Sequence, residues 1–554
     1  MIDIRLFLGH TVLNCMSIFT LRPTSETKRV HRYGLLLGGI VISQGLLAVL
    51  VGILLFYRSG TYFLDAGYYV YTLASQNFGH QPPAIGNSAG TSLFDTHMLL
   101  TPLLISQFLR LVTSAPMNFI MYLGLQHIIL AIAGSLLMLV TSLQHGVKKS
   151  RTLIPMILGA LLLPFSSIGL GSLLYPHVEV MGTSLVAIGV LLLVLRWDGN
   201  ENRLVLFAAV TTIFFGLLTR EDIGLHLLIT VVSACVCSQW RLLKRHHFKS
   251  VFYLLMAGFI FFLVLTSYQR IFFGEHDVFS VSYSGTPAYA HITSIWYLMD
   301  RILYLFASRL DLVVALGAFV MAAIVLRKRE FLAFPLAVIP WILLNLTAID
   351  PAKNAMGIYH LFPIILYATA PILATSLSAR ADTPAQKVEH GRVMVSATYG
   401  VAILSLFLGG VSAPPNGFGY LFTNTLRLPL ISPSEISATN RAIEDFARKE
   451  SRISVDNAVM SIRPVALKDV PLMPTVQNAL EIDEVLFFAR YIPDRESAQN
   501  IFRVWITDNR LIAINCLPGG LVQADARERN VKETNQTDIE LMAIAQKCHP
   551  QPIR

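Results

Sequence analysis

Residues 34–56 read GLLLGGIVISQGLLAVLVGILLF, and this run carries no charged side chain. The hydrocarbon core of a lipid bilayer is about 30 Å thick, a distance that a helix of about 20 apolar residues crosses. A second run, residues 251–266, reads VFYLLMAGFIFFLVLT. Both runs predict transmembrane helices, and further apolar runs extend the pattern to residue 412.

The composition of the chain agrees with a membrane protein. Of its 554 residues 54% are hydrophobic and only 14% are charged, whereas soluble domains carry about 25% charged residues. The net charge of +9 comes from short basic clusters between apolar runs, a pattern typical of membrane topology signals. A water-soluble enzyme and a nucleic-acid-binding protein are therefore excluded as interpretations.

Hydropathy predicts about eleven transmembrane helices. They are placed at residues 34–57, 117–142, 152–170, 180–196, 203–219, 222–239, 250–267, 310–326, 331–348, 359–378 and 392–411. Up to residue 412, 20 of the 27 Lys and Arg residues then lie in one alternating set of connections. The positive-inside rule makes that set cytoplasmic. Residues 99–112 are apolar but would invert every later loop if they crossed, so we predict a helix in the outer interface.

The chain therefore divides into three parts. We predict a cytoplasmic segment at 1–33, a transmembrane domain at 34–412 whose first outer loop covers 58–116, and an extracytoplasmic α/β domain at 413–554. In the last part the pattern predicts a helix at 438–449 and strands at 453–455, 484–488 and 511–515. Cys516 and Cys548 either pair, if that side is oxidising, or remain two thiols. The protein is expected in the plasma (inner) membrane.

Polar residues collect at the outer ends of the predicted spans. In the first outer loop, Asp65 and Tyr69 share one face of a predicted surface helix, which is suited either to stacking on sugars or to an aromatic belt at the headgroups. Acids and histidines occur in this loop and three later outer connections, namely Asp65, Asp95, His97, His177, Glu179, Glu221, Asp222 and His360. Charges so close to a bilayer are costly and are by default functional candidates.

Arginines accompany these acids. Arg220 is either part of the site or a structural clamp for Glu221 and Asp222. Arg270 and Arg301 lie in a fifth outer connection, where a guanidinium can hold a phosphate with two hydrogen bonds. The alternative for both is that they reach lipid phosphates without a specific ligand.

The order of these motifs resembles that of the membrane-protein family called domain of unknown function 2079, which looks related to the GT-C glycosyltransferases. The matching pieces are Leu64-Asp65-Ala-Gly67, Asp95-Thr-His97, Pro176-His177-Val-Glu179, Arg220-Glu221-Asp222, Tyr359-His360, Ile453-Ser-Val-Asp-Asn457 and Glu481-Ile-Asp-Glu-Val-Leu-Phe487. The resemblance implies a GT-C-like helical domain and a membrane glycosyltransferase. Its partners would be the lipid bilayer, a polyprenyl-phosphate sugar donor, and a glycan, lipid or protein acceptor.

The resemblance also implies roles for the candidate residues. Asp65 corresponds to the general base or metal-binding acid of the first outer loop. The predicted catalytic residues are Asp65, His97, Glu179, Glu221 and Asp222, and the predicted substrate-binding residues are Tyr69, His177, Arg220, Arg270, Arg301 and His360. The loop has no Asp-X-Asp pair, which leaves open whether a divalent cation such as Mg²⁺ or Mn²⁺ takes part. Two other classes stay open, a lipid or solute transporter and a non-catalytic scaffold; a scaffold would leave the polar residues scattered.

Overall fold

The structure is a computed structural model. It describes residues 25–59, 97–113, 117–144, 152–174, 177–197, 202–238, 245–273, 283–349, 360–378, 389–412, 433–456, 476–489, 492–528 and 536–548, together with 459, 463, 466, 467 and 470.

Within these residues the chain is mostly helical. Up to the C-terminal sheet the α-helices are α1 (Ser25–Ser59), α2 (Leu100–Leu109), α3 (Met117–Gln144), α4 (Leu153–Leu162), α5 (Ser167–Leu174), α6 (Glu179–Trp197), α7 (Arg203–Leu217), α8 (Ile223–Cys237), α9 (Arg245–Phe273), α10 (Ile295–Ser308), α11 (Leu310–Leu326), α12 (Ala333–Leu346), α13 (Ile364–Tyr367), α14 (Ala370–Ser378), α15 (Glu389–Ser412) and α16 (Pro433–Ala447). Helices dominate because the lipid offers no hydrogen-bond partners to the backbone, and a helix satisfies its N–H and C=O groups internally.

Helix length and apolarity identify the membrane domain. In the described chain six segments can each cross a bilayer, namely Gly34–Leu54, Met117–Gln144, Leu153–Leu173, Glu179–Trp197, Phe248–Phe272 and Arg329–Leu346. Helices α10 and α11 meet at 90° and supply a seventh candidate. Shorter apolar helices occupy the other predicted spans, at Arg203–Leu217, Ile223–Cys237, Ile364–Ser378 and Ala397–Gly410. The chain is a helical polytopic membrane protein, and the count of eleven spans stays a prediction.

Helix α2 covers the stretch that was predicted to lie in the interface. Its ten residues are about 15 Å long, which is half of a hydrocarbon core of about 30 Å. The length of α2 is therefore consistent with the interfacial prediction.

Helix α3 packs against α1, α4 and α6. Its contact with α4 depends on two glycines, because a Cβ atom on Gly159 would lie 2.3 Å from the carbonyl oxygen of Gly134. Small residues allow this approach of two helix backbones inside a membrane.

A small α/β unit follows the membrane helices. Its strands are β1 (Ile453–Val455), β2 (Glu484–Phe488), β3 (Arg510–Leu517) and β4 (Leu521–Glu528). They form one sheet in the order β1-β2-β4-β3, in which only β1 and β2 are parallel. Helices α17 (Ile492–Thr507) and α18 (Asp538–Gln546) pack on one face, over a core that includes Trp505. Cys516 and Cys548 form a disulfide bond.

The opposite face of the sheet meets the membrane helices. Phe446, Leu486 and Phe488 belong to the same hydrophobic cluster as Met98 and Val178. These last two residues adjoin His97 and Glu179 in the chain. The α/β unit therefore sits at the end of the helix bundle that carries these two candidate residues.

Candidate functional site

The turn between α7 and α8 carries the three charges of the Arg220-Glu221-Asp222 motif. Helix α7 ends at Leu217 and α8 begins at Ile223, whose N–H donates to the carbonyl oxygen of Arg220 over 3.3 Å. The turn is too short to bend away from the bundle, so its charged side chains stay beside the neighbouring helix ends.

A glycine on α6 lets this turn approach Glu179. Gly182 lies one helical turn after Glu179, and a Cβ atom on it would come within 2.3 Å of Ile223 and 2.7 Å of Thr219. Close packing at this point brings the first residue of α6 next to Arg220.

Arg220 is the centre of the site, because its guanidinium faces three carboxylates. Its Nη1 donates a hydrogen bond to Oε1 of Glu179, which is fully buried. Its Nε lies 3.2 Å from Asp222 Oδ1 and 3.7 Å from Glu221 Oε1. The planar guanidinium suits such multiple pairing. With two adjoining imidazoles these four residues form a cluster that we call the Arg220 network: His97, His177, Glu179, Arg220, Glu221 and Asp222.

The two imidazoles contact different carboxylates of the network. His97 Nδ1 lies 2.9 Å from Glu221 Oε1, and the backbone N–H of Met98 donates to the other oxygen of Glu221 over 2.9 Å. His177 Nδ1 lies 3.1 Å from Glu179 Oε2 and is buried. His97 is 16% exposed, which makes it the imidazole of the network that can meet a substrate.

The start of α2 is tied to the end of α7, which explains the position of His97. The backbone N–H of Thr101 donates to the carbonyl oxygen of Leu218 over 3.1 Å, and the Thr101 hydroxyl donates to that of Phe215. These bonds fix the end of the first outer loop against the charged turn.

The charge balance of the network allows proton chemistry. Three carboxylates face one guanidinium, and the imidazoles of His97 and His177 contact two of these carboxylates. Partly exposed imidazole–carboxylate pairs of this kind can act as general acids or bases or can orient a polar substrate.

The turn that contains His360 forms one wall of the network. The His360 side chain is buried, and the backbone carbonyl oxygen of His360 accepts a hydrogen bond from Trp341 Nε1 over 2.8 Å. Two residues later the ring of Phe362 lies under the Arg220 guanidinium at 5.5 Å, a cation–π distance. Thr183 Oγ1 donates to the carbonyl oxygen of Phe362 over 2.8 Å.

The two other predicted arginines differ in their surroundings. Arg301 donates to the carbonyl oxygens of Leu346 and Ala348 and lies 4.4 Å from the ring of Tyr297. It therefore stabilises the C-terminal end of α12, a role that competes with phosphate binding. Arg270 is exposed near the end of α9.

Sequence reasoning missed His226 and Tyr367, which extend the network into the bundle. His226 Nε2 lies 3.8 Å from Asp222 Oδ2, and His226 Nδ1 lies 2.6 Å from the Tyr367 hydroxyl. The spacing of four residues between Asp222 and His226 was the available signal, because such residues share a helix face.

Asp65 and Tyr69 lie outside the described residues, and so does Asp95. Among the residues that the structure does describe, no group of three His, Cys, Asp or Glu side chains is placed to hold a metal ion. The prediction that a divalent cation takes part stays a prediction.

Comparisons with known proteins give a likeness at the level of structure. No family model and no curated protein sequence matches the chain. Among solved structures, the chain is similar to the crystal structure of ArnT from Cupriavidus metallidurans bound to undecaprenyl phosphate, with 12% sequence identity and a TM-score of 0.44 over 86% of this chain and 97% of that chain. A score of this size does not establish a common fold, so the family resemblance of the sequence stays a prediction.

Proposed function

We propose that this chain is a GT-C-like membrane glycosyltransferase that moves a sugar from a polyprenyl-phosphate donor to an acceptor on the extracytoplasmic side of the plasma membrane. The observation that carries the proposal is the Arg220 network. It joins residues from three separate connections, represented by His97, Glu179 and Arg220, in one ion-paired cluster. A scaffold without a site gives no reason for such convergence, because buried charges cost several kcal/mol each unless they are paired.

In the proposed reaction, Asp65 and the Arg220 network have different roles. Asp65 accepts the proton of the acceptor hydroxyl, whose oxygen then bonds to the anomeric carbon of the donor. The bond from that carbon to the phosphate oxygen breaks, and polyprenyl phosphate leaves with the electron pair. Glu221 holds His97 by the contact at Nδ1, which directs the other ring nitrogen towards the reactants. A divalent cation bound by Asp65 would supply further charge stabilisation.

The donor phosphate needs a cation close to the bilayer. Arg270 is better suited than Arg301 to this role, because Arg270 is exposed whereas the Arg301 guanidinium serves two backbone carbonyls. A phosphate held by a guanidinium is a better leaving group, because the developing negative charge meets a fixed positive one.

The test is sugar transfer by the purified protein in lipid nanodiscs that contain a panel of polyprenyl-phosphate sugars. We expect wild-type transfer from at least one donor and a rate at least about 100-fold lower for Asp65→Asn, since general base catalysis contributes about that much. The matched control is Asp300→Asn, an exposed acid on α10, which should transfer normally. An Asp65→Asn protein that folds and transfers at the wild-type rate contradicts the assigned base.

A lipid or solute transporter is the second candidate, and buried polar groups favour it. Asn118 and Gln126 on α3 are buried, and their carboxamide atoms have no hydrogen-bond partner among the described residues. Polar groups inside a helix bundle are typical of a substrate path, and the break at Pro164 between α4 and α5 resembles the interrupted helices of transporters. Movement of a polyprenyl-phosphate sugar across a vesicle membrane without transfer would support this alternative.

A further inference from the structure

The side chain of His226 lies one turn inside the bundle from the Arg220 network. It is 2% exposed and its Nε2 faces Asp222 Oδ2 at 3.8 Å. Asp222 precedes α8 without capping it by a side-chain hydrogen bond. Its carboxylate instead lies between two groups, Arg220 Nε on one oxygen and His226 on the other.

On its far side His226 meets a tyrosine hydroxyl. The distance from His226 Nδ1 to Tyr367 Oη is 2.6 Å, and Tyr367 is fully buried. The rings of Trp341, Phe362 and Tyr367 surround the imidazole edge-on at 5.1, 5.2 and 5.7 Å. The imidazole therefore has little freedom to rotate, and the direction of both ring nitrogens is fixed.

The two neighbours of His226 decide where its proton lies. A neutral imidazole has one N–H and one acceptor nitrogen. If Tyr367 donates its O–H to Nδ1, the remaining proton is on Nε2 and points at the carboxylate of Asp222. The opposite arrangement would place the lone pair of Nε2 against that carboxylate, which is electrostatically unfavourable. Tyr367 therefore donates to Nδ1 of His226, and the N–H at Nε2 faces the Asp222 carboxylate across 3.8 Å, an electrostatic contact that is too long for a hydrogen bond.

The ring of Phe362 contacts both His226 and Arg220. Phe362 lies 5.5 Å under the Arg220 guanidinium and 5.2 Å from the His226 ring. Arg220 is thus held from two directions that both depend on His226, through the carboxylate of Asp222 and through the packing of Phe362.

We propose that His226 is a positioning residue that, oriented by the hydroxyl of Tyr367, aligns Asp222 and through it the Arg220 guanidinium. Neither His226 nor Tyr367 reaches the surface, so neither contacts a substrate. Their contribution is to hold Arg220 in one orientation towards Glu179 and Glu221. The consequence for catalysis rests on the proposed glycosyltransferase function, whereas the orientation of the proton does not.

The orientation is tested without any activity assay, by ¹⁵N nuclear magnetic resonance of the histidine-labelled protein in nanodiscs. The signals of His226 are identified by their loss in His226→Gln. We expect a protonated Nε2 and an unprotonated, hydrogen-bonded Nδ1, and a changed Nδ1 signal in Tyr367→Phe. Tyr399→Phe is the matched control, because Tyr399 is a second buried tyrosine whose hydroxyl donates to a backbone carbonyl, that of Ala368. A proton on Nδ1, or a Tyr367→Phe spectrum identical to that of the wild type, overturns the proposal.

The positioning role is tested by measuring kcat and KM separately for variants of His226. Misplacement of a catalytic group by about 1 Å can cost about 100-fold in rate, so we expect a loss of kcat of about 10- to 100-fold in His226→Ala with little change in KM. His226→Gln, which places a donor near the position of Nε2, should recover part of the loss. Equal kcat values for His226→Ala and the wild type would contradict the role. If the wild type transfers no sugar while the resonance result holds, the proposed function fails and the orientation of His226 by Tyr367 stands.

Discussion

Replacement of Arg220 by methionine is expected to lower the free energy of unfolding of the membrane domain by about 3–5 kcal/mol. Glu179 is fully buried and pairs with Arg220 and His177. Without the guanidinium, the Glu179 carboxylate would keep its desolvation cost and lose its permanently charged partner. Breaking one side of a buried ion pair is therefore costly, even where the whole pair adds little stability.

Denaturant titration in a mild detergent, followed by tryptophan fluorescence, measures this loss. Arg203→Met is the matched control, because Arg203 is an exposed arginine at the start of α7 and its replacement should change stability by less than about 0.5 kcal/mol. The double variant Glu179→Leu/Arg220→Met separates structure from function. It removes both members of the fully buried pair but leaves Glu221 and Asp222 without the guanidinium, so it should regain part of the stability and none of the transfer activity. An Arg220→Met protein as stable as wild type would show that the pair is not buried in the native membrane.

The positions of the membrane helices could be predicted from the sequence because a bilayer leaves the backbone little choice. A segment such as 117–142 has to form a helix once it is apolar and long enough, and the structure places α3 at Met117–Gln144. The α/β unit is under no such constraint. The strands at 453–455 and 484–488 were predicted correctly. Strand β4 has Ala524 and Ala526 at its inward positions with Asp525 between them, and this apolar alternation is too weak to be recognised.

The sequence singled out every member of the Arg220 network, but it predicted their connections only in part and missed His226 and Tyr367 beside them. Charges that flank apolar runs identified His97, Glu179 and Arg220, because each is costly at that position. Their pairing depends on where Gly182 lets two helix backbones meet, which is a property of packing. Arg301 shows the opposite case: its charge suggested a phosphate, but the carbonyls at the end of α12, from a distant part of the chain, are what it binds.

Removal of the disulfide by Cys516→Ser/Cys548→Ser is expected to lower the stability of the C-terminal unit by about 4 kcal/mol. The two cysteines are 32 residues apart, and closing a loop of that length in the unfolded chain has about that entropic value. The bond joins β3 to the end of α18. This helix is also attached by the contacts of Leu541 and its neighbours with the sheet core and by Asp538, which accepts from Gln499 and Arg503 on α17. Hydrogen exchange in residues 538–546 should therefore rise first. Cys235→Ala, which removes a buried free thiol on α8, is the control and should leave that exchange unchanged.

The redox state of Cys516 and Cys548 in cells tests on which side of the membrane the Arg220 network lies. Disulfides form in oxidising compartments and are rare in the cytosol, so alkylation of protein from intact cells should label two more cysteines after reduction than before it. The hydrophobic cluster that contains Phe446 and Phe488 also contains Val178, the residue before Glu179. The α/β unit and the network consequently share one end of the bundle, and an oxidised Cys516–Cys548 bond in cells would place both outside the cytoplasm. Equal labelling before and after reduction would instead put the network on the cytoplasmic side, where a donor displayed on the outer leaflet cannot reach it, and the proposed reaction would lose its substrate.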